Sequence, residues 1–186
     1  MRAAVYYGPN KVSVEDVAIP APGPGQVQLQ IGFNGICGTD LHEYYAGPIF
    51  VPTQPHPLTH QELPLTLGHE FSGTITAVGA GVTGWREDDR VAVEPIYKCG
   101  HCGPCAAGNY NVCQQIGFHG LMSDGGMAEY TVVPVNMLHR LPDNVSLELG
   151  ALVEPMSVAY HAATLGEVGP LHTAVVFGAG PIGIGL

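Results

Sequence analysis

Leu65-Thr66-Leu67-Gly68-His69-Glu70-Phe71-Ser72-Gly73 sets a histidine beside a glutamate at the mouth of a segment, 71–78, with strand character. Imidazole nitrogen and carboxylate oxygen both ligate first-row metals, zinc at about 2.0–2.2 Å. Neighbouring side chains leave a strand on opposite faces, so this pair converges on one ion only where the backbone bends. Gly68 supplies the freedom for that bend. The pair alone decides nothing, because most His-Glu neighbours are simply solvated. Further ligands decide it.

They begin with Cys99-x2-Cys102-x2-Cys105-x7-Cys113, which gathers four of the five cysteines into fifteen residues. Gly100, Gly103 and Pro104 between them allow a fold tight enough for four sulfurs to wrap one tetrahedral ion, at about 2.3 Å per Zn–S bond. Four protein ligands leave no open position, so such an ion is structural. An iron–sulfur cluster also uses four cysteines; the compact lobe and the lack of other redox features favour zinc. His101 lies inside the lobe but is superfluous to a filled shell, and reads as solvent-facing.

Cys37 is the remaining cysteine. A lone buried thiol is by default a small core residue. This one follows a strand and is flanked by Gly35 and Gly38, in a turn like the one holding His69-Glu70. Thiolate, imidazole and carboxylate with one open position form the ligand set of a catalytic zinc.

Composition narrows the partners. Six Lys or Arg stand against sixteen Asp or Glu, with the basic residues scattered. No basic patch exists to neutralise a phosphate backbone or an anionic bilayer, which speaks against nucleic acid and membrane surfaces. No apolar run reaches the ~18 residues of a membrane span, and the N-terminus does not read as a signal peptide. The cytoplasm is the expected compartment, where thiols stay reduced.

Alternation and turn signals predict strands at 2–6, 11–16, 27–33, 71–78, 90–93, 127–134, 137–141 and 173–177. Thr39 is placed to cap a helix starting at Asp40, and Ser146 another, which Pro155 interrupts. A second helix then runs to about Leu165. The long loop 44–64 runs into Gly68-His69-Glu70; its His56 and His60 read as exposed loop residues rather than ligands. Gly178-x-Gly180-x-x-Gly183 after an apolar strand has the form of a dinucleotide fingerprint.

Gly35-Ile36-Cys37-Gly38-Thr39-Asp40-Leu41-His42, then Gly68-His69-Glu70, the four-cysteine lobe and the glycine turn stand in the order found in zinc-dependent medium-chain alcohol dehydrogenases. The chain resembles that family throughout, in particular its butanediol, sorbitol and threonine dehydrogenase branch. The resemblance implies a mainly β fold with some helix: a GroES-like β-barrel catalytic domain over 1–153 with a zinc lobe at 98–114. A helical connector, 154–170, and the first strand and glycine turn of an incomplete Rossmann domain, 171–186, would follow. It implies two zinc ions per chain, one catalytic and one structural, and NAD(H) as cofactor of the full-length parent. Cys37 and His69 would be catalytic-zinc ligands, Glu70 a ligand or exchanging partner, and Glu154 a carboxylate near the metal. Cys99, Cys102, Cys105 and Cys113 would hold the structural ion, and Gly178, Gly180 and Gly183 the cofactor. Thr39 would take the proton of a secondary alcohol or vicinal diol and His42 would pass it to solvent. A homo-oligomer is compatible with this.

The chain departs from the family in lacking the rest of the Rossmann unit, including the acidic residue that grips the ribose. As a catalytic-domain fragment it is expected to transfer no hydride by itself. Asp88 and Leu171-His172 replace the family's usual Gly and Gly-Asp, in turns away from the site. The uncharged tail from Thr173 is an edge-pairing hazard, and is expected to be disordered, folded back, or paired with another copy. The competing reading is a non-catalytic, zinc-stapled β-barrel binding module that keeps only the structural ion. A metal-free quinone-reductase-like relative fits less well, given the complete ligand set.

Overall fold

A computed structural model describes residues 1–186. The N-terminal half holds β1 (Arg2–Gly8), β2 (Lys11–Asp16), β3 (Gln26–Asn34), α1 (Gly38–Ala46), β4 (Leu65–Thr66), β5 (Phe71–Val78) and β6 (Arg90–Val93). Then come β7 (Ile96–Tyr97), α2 (Gly103–Ala106), β8 (Gly117–Phe118), β9 (Tyr130–Pro134) and β10 (Leu138–Arg140). Three helices close the chain: α3 (Leu147–Ala151), α4 (Val153–Leu165) and α5 (Pro181–Gly185).

The main sheet has the order β10-β6-β5-β3-β9, beside a β2-β1-β4 sheet and a β7-β8 pair. Its pairings are antiparallel, as expected where hairpins and loops rather than crossover helices connect the strands. Alternation along β3 buries Val27 and Leu29, which meet Phe71, Ile75, Val91 and Val133 in the larger core. A smaller core of Tyr6, Val51, Leu65, Leu67 and Leu121 lies under the β1–β4 pair. It seats the approach to His69.

Several elements differ from expectation. The segment before β9 is not strand to Met127; Met127 instead exchanges backbone bonds with Ala4 and Leu67 and ties the two sheets. Ser146 does cap α3, its hydroxyl accepting the Leu149 N–H at 3.2 Å. Pro155 does not break the second helix. It sits in the first turn of α4, where no intrahelical N–H is needed, and the break falls at Leu152.

Residues 173–177 form no ladder and lie exposed, with Phe177 at 96%. A continuously apolar strand belongs between two neighbours of a parallel sheet, and no segment here pairs with it. Beyond the glycine turn, α5 folds back on α4: a Cβ at Gly185 would come within 3.1 Å of both Ala159 Cβ and Met156 Sδ. Of the tail, expected to be disordered, folded back or paired, α5 folds back on α4 while 173–177 stays uncovered.

His56 is also a correction. It is 9% exposed, its Nε2 donating to the Ile116 carbonyl at 3.1 Å and its Nδ1 accepting the Leu58 N–H at 3.3 Å. The loop thereby lies against residues 116–124, also through Thr59, whose hydroxyl donates to the Met122 carbonyl. His60 is exposed, as expected.

His119 is the most deeply placed histidine, at 2% exposure. Its Nδ1 lies 2.9 Å from the Tyr97 hydroxyl and 3.0 Å from Ser123 Oγ, and its Nε2 3.0 Å from Thr131 Oγ1. Burial holds its pKa down at about 3, against an ordinary 6.5. The unfolded chain therefore takes up a proton here that the folded chain refuses, and stability falls with pH across that interval, by up to about 1.4 kcal/mol per unit. Urea midpoints should follow this slope between pH 6.5 and 3 and lose part of it in His119→Gln. Equal slopes in the two proteins would show that the ring is not kept neutral by burial.

Candidate metal centre

The lobe is built from α2, a 3-10 turn at Tyr110–Val112 and the loops between them. Its four ligand sulfurs lie within 4.8 Å of one another, with Cys99–Cys105 at 4.0 Å and Cys102–Cys113 at 3.9 Å. A tetrahedral ion with Zn–S bonds of about 2.3 Å needs sulfur–sulfur edges of about 3.8 Å. The cage fits one ion. A cluster of several irons would spread its thiolates farther. Backbone N–H groups point at the sulfurs: Cys99 N–H at Cys113, Cys102 N–H at Cys99 and Gln115 N–H at Cys113, at 3.3–3.4 Å. Backbone N–H groups, that of Gln114 foremost, bring Cys102 down to about 6, whereas burial pushes Cys105 up to about 12. A cation is what lets all four ionise together. His101 is exposed, its ring turned to the Cys99 carbonyl at 2.9 Å.

The second group is assembled by sheet register. β3 and β5 pair antiparallel up to Asn34↔Phe71, so the residues just after β3 meet those just before β5. The Gly35 N–H donates to the Glu70 carbonyl at 2.7 Å. Gly68 has φ +102°, and a Cβ there would lie 2.7 Å from the Met127 nitrogen. The expected bend is real, and only glycine fits it. A side chain at Gly35 would collide with the Glu70 carboxylate. Ligand atoms of Cys37, His69 and Glu70 consequently lie within 4.8 Å of one another, with His69 and Glu70 buried and Cys37 half-buried.

α1 begins two residues earlier than expected, and Thr39 is not its cap. Cys37 occupies that position, its N–H bonded at 2.9 Å to the Asp40 carboxylate. This puts the thiol at a helix N-terminus, where partial positive charge favours thiolate. Thr39 lies in the first turn, its hydroxyl 3.6 Å from Cys37 Sγ, and His42 stands exposed one turn on. Asp40, which motif reading passed over, stands at the same site, although an acid three places after a helix cap is itself a recognisable spacing. Its Oδ1 faces His69 Nδ1 at 3.6 Å, and neither atom has a hydrogen-bond partner. A carboxylate on that side favours the proton on Nδ1, and an imidazole so protonated ligates through Nε2.

The charges fit a cation. Burial raises the Cys37 thiol, with Glu70 adding to it and Thr39 opposing. Burial likewise raises Asp40, partly offset by His69. Glu154, in the first turn of α4, is raised by burial and by Glu70 and Asp40, and lowered by His69. It is therefore part of the same electrostatic cluster. When ionised, the thiol and three carboxyls outweigh the one imidazole in charge, an excess that a divalent ion reduces. A cavity of about 560 Å³, lined by His119, Tyr97 and Ser123 among others, includes none of these residues. The donor set marks the site, not the size of the hollow.

At the other end of the chain, Gly178 takes φ +105° and Gly180 caps α5, while a side chain at Gly183 would strike the Gly178 carbonyl. This is a glycine turn leading into a short helix, exposed and with no strand before it.

Residues 23–143 match the alcohol dehydrogenase GroES-like domain family. The chain belongs to that family. It is 45% identical over 187 residues to (R,R)-butanediol dehydrogenase of Bacillus subtilis, covering 99% of this chain and 53% of the relative. To a probable D-xylulose reductase A of Neosartorya fischeri it is 42% identical, over 97% of this chain and 49% of the other. The crystal structure of the Bacillus subtilis 2R,3R-butanediol dehydrogenase superposes with TM-score 0.92 at 44% identity, over 99% of this chain and 52% of that one. Galactitol-1-phosphate dehydrogenase of Escherichia coli gives 0.87 at 35% identity, over 100% and 51%. The chain thus spans about half the length of the relatives it matches. The GroES-like fold holds, and the relatives are oxidoreductases of diols, sugars and polyol phosphates by name.

Asp40→Asn removes the charge opposite His69 while keeping the Cys37 cap nearly isosteric. It is expected to weaken zinc at the Cys37–His69–Glu70 group by about 10- to 100-fold. Competition against a chromophoric chelator measures this; unaltered affinity would show that Asp40 does not orient the imidazole.

Proposed function

We propose that the chain is the zinc-bearing catalytic portion of an NAD-dependent dehydrogenase acting on secondary alcohols or vicinal diols. The observation that carries the reading is the convergence of Cys37, His69 and Glu70 within 4.8 Å, in a pocket of excess negative charge. Glu154 is proposed as a further carboxylate at the same ion. A zinc bound there supplies Lewis-acid polarisation of a substrate hydroxyl. Thr39 accepts the hydroxyl proton, because its oxygen can accept and donate at once and stands beside Cys37. His42, exposed at the next turn of α1, relays it to solvent. Asp40 keeps His69 in the ligating tautomer. The lobe of Cys99, Cys102, Cys105 and Cys113 holds a second, structural zinc. Gly178, Gly180 and Gly183 are proposed to line the dinucleotide once their strand lies in a sheet. The substrate class rests on the relatives, whose names range from a butanediol to a hexitol phosphate.

The competing binding-module reading needs only the structural ion, so metal content separates the two. Zinc measured on the purified, metal-replete chain is expected at two per chain, falling to one in Cys37→Ser. With cobalt in the second site, a vicinal diol should shift the ligand-field bands. A single zinc per chain, unchanged by Cys37→Ser, would leave only a stapled barrel.

A further inference from the structure

Helix α1 is seated in an inverted manner. Its buried residues are Asp40 and Glu43, at 3% and 0% exposure, while Leu41 and Tyr45 stand in solvent at 47% and 67%. An apolar stripe ordinarily anchors a helix; here two carboxylates one turn apart do so. Asp40 is accounted for by the Cys37 amide and His69. Glu43 meets none of the metal-ligating groups, yet it is the more buried of the two.

Its partners are three consecutive backbone amides. Both oxygens accept the Ile49 N–H, at 3.1 and 3.0 Å. Oε1 also accepts the N–H of Phe50 and, at 3.2 Å, that of Val51. The Glu43 carbonyl accepts the Tyr6 hydroxyl at 2.7 Å and the Gly47 N–H at 2.9 Å. None of the five ion pairs involves Glu43. A buried carboxylate without a cation is costly, and converging amides offset that cost. For stability alone a well-packed apolar residue would often serve as well.

What the grip joins is informative. Val51 and Tyr6 lie in the small core with Leu65 and Leu67, and Tyr6 pairs with Leu65 across β1 and β4. That segment runs on into Gly68-His69-Glu70. α1 begins at Cys37 and carries Thr39 and His42. Glu43 therefore links the helix that brings the thiolate to the segment that brings the imidazole.

We propose that Glu43 is a positioning residue for the Cys37–His69–Glu70 centre, holding α1 in place against the segment that delivers His69. This rests on the reading that the centre takes a zinc ion. Metal–ligand distances tolerate only about 0.2 Å. A helix with no apolar anchor and a released C-terminal turn shifts by more than that.

The test uses the full chain, zinc-free and then titrated, in the wild type, Glu43→Gln and Tyr6→Phe, with a chromophoric chelator resolving the two equivalents. Glu43→Gln keeps the shape but loses one accepting oxygen. It should weaken the Cys37 centre by about tenfold, leave the four-cysteine centre unchanged and speed amide exchange at 49–51. Tyr6→Phe removes only the hydroxyl bond to the Glu43 carbonyl and should act in the same direction, more weakly; it carries the comparison if Glu43→Gln does not fold. Wild-type affinity at both centres in the variants would overturn the proposal. So would an equal loss at both, which marks a purely structural role. A wild type with a single zinc would strike instead at the two-ion reading, before any variant is compared.

Discussion

A thiol and three carboxyls share one small, poorly hydrated space with a single imidazole, and the rest of the arrangement follows from that excess of negative charge. Cys37, Asp40 and Glu154 each lose solvation on folding, and the neighbouring Glu70 charge adds to the cost of ionising them. A divalent cation is the economical answer, since it restores the charged forms without a compensating lysine or arginine. The same logic operates in the cysteine lobe, where backbone N–H groups favour some thiolates and burial disfavours another. The two centres differ in their use of it. The lobe gathers four sulfurs at a spacing that fits one ion, whereas the second group presents three ligand-type atoms beside a hydroxyl and an exposed imidazole.

The fold serves this by bringing distant segments to one edge of a sheet. The β3–β5 register ends at Asn34↔Phe71, which sets Cys37 and Glu70 on neighbouring exits from paired strands. The glycine bend at residue 68 then turns His69 and Glu70 off the strand, and α1 leaves from the thiol itself. Because α1 is held by carboxylates rather than by an apolar stripe, its position is set by a few directional bonds. Directional bonds place a ligand more narrowly than greasy contact does, at the expense of stability.

The relatives share this framework while their names span a diol, a pentulose and a hexitol phosphate. Phe33, Ile36 and Phe50 are exposed in this chain, which spans about half of each relative.

The sequence alone was enough for the features that local spacing encodes. Four cysteines within fifteen residues must be near one another whatever surrounds them, and period-two alternation marks a half-buried strand without knowledge of its partner. The meeting of Cys37, His69 and Glu70 was legible because motif order supplied what spacing could not. Tertiary structure decided which polar groups lie inside. Asp40, Glu43, His56 and His119 look like ordinary surface residues in the chain, and each is buried by groups that the fold brings to it. It also decided that 173–177 is no strand, since a ladder needs neighbours and apolarity provides none. Hydrophobic periodicity is written residue by residue, but the burial of a charge depends on the groups that arrive to meet it.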